Sequence, residues 1–270
     1  MTAGGRSDYS FLDVPEVLDY IFYPRPEYRS PGPPVGEDLL IPVEGDVRLG
    51  ARFHGAGGAL PTLLFFHGNG EIVADYDDLA PFFTQAGANF LPVDYRGYGR
   101  SSGRPTVSAM MEDCHAVFDF AQTWLRQKGY SGPVIAAGRS LGSASALELA
   151  STRGYPAVRG LFLESGLARV SRLLDLLGID PEEIGFREEH GFRNLEKIRG
   201  YTGPTLIIHG EEDQLISVAN AHALFEESGA PDKRLLVIPG ADHNSVLYHG
   251  MEEYQAALVE LAERVGRARG

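Results

Sequence analysis

From Pro61 onward the chain alternates short apolar runs with segments of helical spacing, and that alternation leaves little choice of architecture. TLLFFHG is followed by EIVADYDDLAPFFTQAG, ANFLPVDY by TVSAMMEDCHAVFDFAQTWLRQKG, and PVIAAG by SASALELAS. VRGLFLES, TLIIHG and RLLVIPG continue the series, with helices expected at about Ser217 to Ser228 and Val246 to Arg267. Runs this short, apolar without alternation, fit strands buried on both faces, so an α/β fold is expected: a mostly parallel central sheet with helices on both faces. Ahead of Pro61, LLIPV (Leu39 to Val43) and VRLGARF (Val47 to Phe53) flank EGD and predict an antiparallel pair.

Two intervals depart from this rhythm. RPEYRSPGPPVGE (Arg25 to Glu37) carries four prolines and reads as an extended strap, which sets residues 1–36 apart as an N-terminal extension of the main domain, 37–270. Between Ser165 and Pro204 lies a connection far longer than the ~2–6 residues plus one helix usual in α/β units. Leu167, Val170, Leu174 and Leu177 form one apolar stripe there, and GIDPEEIGF ends the helix that carries it. We read residues 166–203 as a small lid inserted over the sheet; a plain surface excursion is the alternative.

Composition narrows the partners. The net charge of −13 argues against nucleic acid or an anionic membrane surface. The single cysteine, Cys114, cannot form an internal disulfide and fits a buried position in a helix. The first residues, MTAGGRSDYSFLDVPEVLDYIFYPRP, lack the apolar core of a secretory signal, and no run approaches the ~18 apolar residues of a membrane span. A soluble, cytoplasmic protein is expected, and the oligomeric state is not legible.

Two stretches satisfy G-x-S-x-G: GRSSG at Gly99 to Gly103 and GRSLG at Gly138 to Gly142. A serine nucleophile on a strand-to-helix turn needs a strand directly before it and a helix directly after. VIAA precedes GRSLG and GSASALELAS follows, so Ser140 fits. GRSSG lies between DYRGY and RPTVSAM in a loop-like stretch, so Ser101 belongs to a turn. A serine hydroxyl is a poor nucleophile until a base takes its proton. His243, after the apolar run LLVIPG, is the candidate base, and Asp213, four residues beyond His209, is the candidate carboxylate that orients it. Glu164, at the end of GLFLE, is an alternative orienting acid. Two backbone N–H groups must also face the charge that develops on the substrate carbonyl. Leu141 supplies one; Asn69 in FFHGNGE supplies the other, with Gly70 as the alternative.

Other residues admit plainer readings. Glu211 and Glu212 read as solvated loop charges and Asp242 as a surface carboxylate. Asp94 and Arg96 are expected to tie their turn by an ion pair. His67 and His209 each end a strand. With His243 they could in principle hold a metal, but turn-stabilising hydrogen bonds explain two of them and no ligand-like spacing occurs, so no metal site is expected. No phosphate-cradling G-x-x-x-x-G-K-[ST] is present.

LLFFHGNGE, VDYRGYGRSSG, GRSLGS, LIIHGEED and PGADHN, in this order, resemble the α/β-hydrolase superfamily of serine hydrolases, and in particular its compact branch of BEM-type and serine aminopeptidase-like proteins. The resemblance spans roughly Glu37 to Glu263. It implies the α/β-hydrolase fold, Ser140 as nucleophile, Asp213 as acid, His243 as base, and Asn69 and Leu141 at the oxyanion-hole positions. It also implies that DYRGYGRSSG is a shared turn. The expected activity is hydrolysis of carboxylic esters or thioesters through an acyl-enzyme, without metal or organic cofactor. Amide or peptide hydrolysis with the same residues, cofactor-free perhydrolysis and a non-catalytic binding protein are the alternatives. The lid is shorter than many family caps, so cap-based substrate rules do not transfer.

Overall fold

The computed structural model describes residues 8–28, 36–176, 178–182 and 185–267, without the side chains of 172, 175 and 176. The strands are β1 (Glu37–Pro42), β2 (Arg48–Phe53), β3 (Thr62–Phe66), β4 (Asn89–Val93), β5 (Val134–Arg139), β6 (Gly160–Glu164), β7 (Thr205–Gly210) and β8 (Lys233–Ile238). The α-helices are α1 (Pro15–Ile21), α2 (Ala80–Gln85), α3 (Val107–Gln127), α4 (Gly142–Arg153), α5 (Val170–Leu176), α6 (Asn194–Gly200), α7 (Ala219–Glu227), α8 (Val246–His249) and α9 (Met251–Arg267). Among the described residues the strands form one sheet in the order β1-β2-β4-β3-β5-β6-β7-β8. β2 pairs antiparallel with β1 and β4, and every later pairing is parallel. This is the mostly parallel sheet expected from the alternation, in the arrangement that the α/β-hydrolase resemblance implies.

The continuous apolar strands divide their side chains between two cores, because successive residues of a strand face opposite sides. In β3, Leu64 and Phe66 join the core shared with α3, α4 and the N-terminal segment, whereas Leu63 and Phe65 join the core under α2 and α9. Two expected helices are subdivided. The segment after β3 forms a 3-10 turn at Val73–Tyr76 and then α2, whose first turn holds Pro81, a residue suited to starting a helix rather than continuing one. The C-terminal helix breaks at Gly250, where a Cβ would come within 2.5 Å of the Ile238 side chain.

Much of the N-terminal extension is built into the body. Tyr9, Leu12, Val17, Ile21 and Phe22 are buried in the first core. Asp13 Oδ1 accepts the Val107 and Ser108 N–H groups at the start of α3, satisfying donors that a helix cannot pair internally. The chain then bridges Pro26 to Gly99; the middle of the proline-rich strap, 29–35, lies outside the described residues.

In the long connection after β6, Leu167, Val170 and Leu174 are buried as the stripe requires, and Leu177 lies outside the described residues. Glu188 accepts the Val170 and Ser171 N–H groups and so caps α5. A buried charge cluster fastens this connection to the body. Glu148 on α4 accepts from Tyr9 Oη at 2.8 Å and pairs with Lys197 on α6 at 2.7 Å, while His115 on α3 lies at 3.4 Å. Burial alone raises the Glu148 carboxyl, but the hydrogen bonds from His115, Lys197 and Tyr9 overcome it and bring its pKa from 4.5 down to about 2. The depressed value means that the carboxylate contributes stability above pH 4.5 and that this is lost as the pH falls through about 2. Glu148→Gln leaves Lys197 buried without its counter-charge and is expected to cost about 3 kcal/mol at pH 7. Urea denaturation at pH 7 and pH 3 checks this: the gap between wild type and variant narrows at the lower pH.

Candidate active site

Ser140, with φ of +51°, is the first of the two turn residues between the end of β5 and the start of α4. A left-handed conformation is costly for a serine and persists only where the surroundings enforce it. Here the enforcement comes from contact between strand and helix. A Cβ on Gly138 would stand 2.2 Å from the Gly142 carbonyl oxygen, and one on Gly142 would stand 2.0 Å from the Phe66 oxygen on β3. Only glycine at both positions lets β5, β3 and α4 approach this closely. Ser140 N–H donates to the Glu164 carbonyl at 2.9 Å, and Ser143 Oγ donates to the Ser140 carbonyl at 2.6 Å, which fixes the turn from both sides.

The loops after β7 and β8 bring the other two residues to it. His243 Nε2 lies 3.0 Å from Ser140 Oγ, and His243 Nδ1 lies 2.7 Å from Asp213 Oδ2. The bond to Asp213 fixes the imidazole proton on Nδ1 and leaves Nε2 as the acceptor facing the serine. All three side chains are buried. Asp213 is itself held: Oδ1 accepts the Leu215 and Ile216 N–H groups, and His209 Nε2 lies 3.2 Å from Oδ2 while it donates to the Ile216 carbonyl. Burial pushes the Asp213 carboxyl up, but the bonds from His209, His243 and Ile216 outweigh it and hold the group well below the ordinary carboxylate range. Glu164, the alternative acid, is engaged elsewhere, accepting from Arg139 Nε at 3.1 Å and from Tyr254 Oη at 2.6 Å.

Among the described residues, the N–H groups of Leu141 and Asn69 donate to no protein acceptor. The loop that carries Asn69 is braced by the N-terminal segment. Asn69 Oδ1 accepts from Tyr23 N–H at 2.7 Å and from Tyr98 Oη at 2.8 Å, and Arg25 Nε donates to the Gly70 carbonyl at 2.7 Å. Gly70 has φ of +75°. No pattern in the sequence pointed to this role for Tyr23 and Arg25, because their partners are distant in the chain.

The remaining candidates fall into place as structural groups. Ser101 sits in the turn after β4, its hydroxyl accepting Gly50 N–H at 2.8 Å. His67 bonds the Gly68 carbonyl and His209 that of Ile216, so the two strand-ending histidines stabilise turns. Among the described residues no group of three metal-ligating side chains converges, and no helix is long and apolar enough to cross a membrane. Cys114 is buried. The expected Asp94–Arg96 pair does not form. Asp94 turns inward to accept Val73 N–H at 2.9 Å, while Arg96 reaches α3 and pairs with Asp113 at 2.7 Å. The buried carboxylate is satisfied by backbone, and the long guanidinium finds its own partner nearer the surface.

A groove of about 600 Å³ runs between the connection after β6 and the segment that follows Asp213, with Gln214, Leu215 and Ile216 in its wall. Leu167, Leu173, Leu215 and Ile216 supply apolar walls, and Arg169 and Asn220 supply polar ones.

Comparison with known proteins bears on what this arrangement is. Residues 59–179 and 191–248 match the family described as serine aminopeptidase, S33. The human alpha/beta hydrolase domain-containing protein 17B is 34% identical over 197 residues, which is 70% of this chain and 62% of that protein. The chain therefore spans less than two thirds of the length of that relative. An uncharacterized protein of Mycobacterium tuberculosis is 31% identical over 218 residues, 78% of this chain and 73% of its own length. Among solved structures, the Pyrococcus furiosus esterase Pf2001 superposes with a TM-score of 0.71 at 19% identity, covering 90% of this chain and 98% of that one, a likeness of fold.

The close approach at the serine turn generates a direct test. Gly142→Ala is expected to lower stability by about 2 kcal/mol, because the new methyl meets β3 backbone that cannot rotate away. Gly266→Ala in α9, where a Cβ meets nothing within 4 Å, is expected to raise it by about 0.5–1 kcal/mol. Urea denaturation of both variants checks the contrast.

Proposed function

The chain belongs to the α/β-hydrolase family described as serine aminopeptidase, S33, and from that premise we propose that it is a serine hydrolase of carboxylic esters or thioesters, acting through an acyl-enzyme on Ser140. The observation that carries this reading is the continuous line of hydrogen bonds from Asp213 through His243 to Ser140. In the proposed mechanism His243 Nε2 takes the Ser140 proton as Oγ attacks the acyl carbon. Asp213 keeps the imidazole in the productive tautomer and stabilises the imidazolium. The N–H groups of Leu141 and Asn69 bind the developing oxyanion, each being worth ~10²–10³ in rate. His243 then gives its proton to the leaving alkoxide or thiolate, and water activated by the same histidine releases the acid.

Residues 166–203 act in this proposal as a small lid, with the acyl chain lying along Leu167, Leu173 and Ile216 in the groove. Ester cleavage is favoured over aminopeptidase activity by the chemistry of that groove. An aminopeptidase must hold a protonated α-amino group, yet among the described residues that line the groove there is no carboxylate, and Arg169 is there instead. If the substrate lies along that groove as proposed, a cation there repels an ammonium.

A p-nitrophenyl ester series tests the proposal. Butyrate and hexanoate are expected to turn over with higher kcat/KM than acetate, whereas a preference for acetate contradicts the apolar-groove assignment. Ser140→Ala is expected to abolish turnover, and Asp213→Asn to lower kcat by about 10³–10⁴-fold through the wrong imidazole tautomer. Faster release from aminoacyl p-nitroanilides than from any ester in the series would favour the peptidase reading instead.

A further inference from the structure

The residue before the serine in GRSLG contributes more than a place in the turn. Arg139 ends β5, is 9% exposed, and spreads its guanidinium toward the loop after β8 that carries His243 and the loop after β3 that carries Asn69. Nη2 donates to the backbone carbonyl of His243 at 2.7 Å and to Asn244 Oδ1 at 2.9 Å. Nη1 donates to Glu71 Oε1, and Nε to Glu164 Oε1 at 3.1 Å. Glu71 in turn uses its second oxygen to accept Gly68 N–H at 2.6 Å and Tyr76 Oη at 2.8 Å. Gly68 directly precedes Asn69. One buried cation is therefore hydrogen-bonded to the backbone of the proposed base, linked through a single carboxylate to the proposed oxyanion loop, and bonded covalently to the proposed nucleophile.

Structural need alone does not account for this placement. A buried guanidinium requires compensating charge, which Glu71 and Glu164 both supply. Burial pulls its pKa down, but the two carboxylates outweigh that and keep Arg139 charged. What the carboxylates do not require is the third direction of the fork, aimed at the His243 carbonyl. A planar guanidinium can serve three directions rigidly, whereas an ammonium on a flexible stem cannot hold them with the same geometry.

We infer that Arg139 is a positioning residue for hydrolysis: it holds the His243 backbone and, through Glu71, the Asn69 loop in register with Ser140. This rests on the catalytic reading of Ser140 and His243 proposed above. Misplacement of a reacting group by about 1 Å costs on the order of 10² in rate, and loss of the fork leaves the His243 loop without its anchor to β5.

The test compares wild type, Arg139→Lys, Arg139→Gln and Glu71→Gln with p-nitrophenyl butyrate. Assays run well below each variant's melting midpoint by circular dichroism, so that every species is fully folded. Arg139→Gln is expected to lower kcat about 10²-fold with KM changed less than about threefold. Arg139→Lys, which keeps the charge without the fork, is expected to recover only part of that loss, and Glu71→Gln to lower kcat by about tenfold through the oxyanion loop. Should Arg139→Gln fail to fold, Arg139→Lys and Glu71→Gln decide the matter. Folded variants with wild-type kcat would overturn the inference. Wild-type protein without esterase activity, or activity that survives Ser140→Ala, would instead overturn the underlying reading of Ser140.

Discussion

The arrangement depends on one contact: the backbone of α4 pressed against the carbonyl of Phe66, which only the absence of a side chain at Gly142 permits. That approach, with its counterpart at Gly138, forces the chain through a left-handed turn in a single residue and leaves Ser140 at the C-terminal edge of the sheet. The strain is local, and the restraint that holds it comes from three strands. Everything else at the site is organised to meet the serine where the turn places it. The loops after β7 and β8 rise from the same edge, so a carboxylate and an imidazole can converge on it without a long excursion of either loop.

A second level of order lies in buried charge. Arg139, Glu71 and Glu164 form one connected group beneath the site, and Glu148, Lys197, His115 and Tyr9 form another under the connection after β6. Such groups are expensive to bury singly, and they hold geometry well once every member has a partner. The first group links the His243 loop and the Asn69 loop to the end of β5 beside Ser140. The second fastens the N-terminal segment and α6 to α4, the helix that begins at the serine turn.

The sheet, its parallel order and the antiparallel start were legible in the sequence because buried strands between helices leave a continuous apolar signature. The convergence of Ser140, Asp213 and His243 was legible because each follows a strand signature in a loop, and strand ends at one edge of a parallel sheet are neighbours in space. What escaped was set by contacts between distant segments. Tyr23 and Arg25 lie in a stretch that reads as an extension, yet they brace Asn69 and Gly70. Arg96 was paired with the nearby Asp94 by proximity in sequence, whereas burial gave Asp94 to a backbone N–H and Arg96 to α3. Arg139 stood in the variable position of G-x-S-x-G, where the pattern itself attaches no meaning to the residue.

The proposed mechanism requires the Ser140 hydroxyl to be an activated nucleophile. Incubation of the purified protein with a fluorophosphonate, followed by intact-mass and peptide analysis, tests it most directly. One covalent adduct per chain, located on Ser140, is expected, and none in Ser140→Ala. A folded wild-type protein that gains no adduct, or one that carries it on Ser101 or elsewhere, would contradict it.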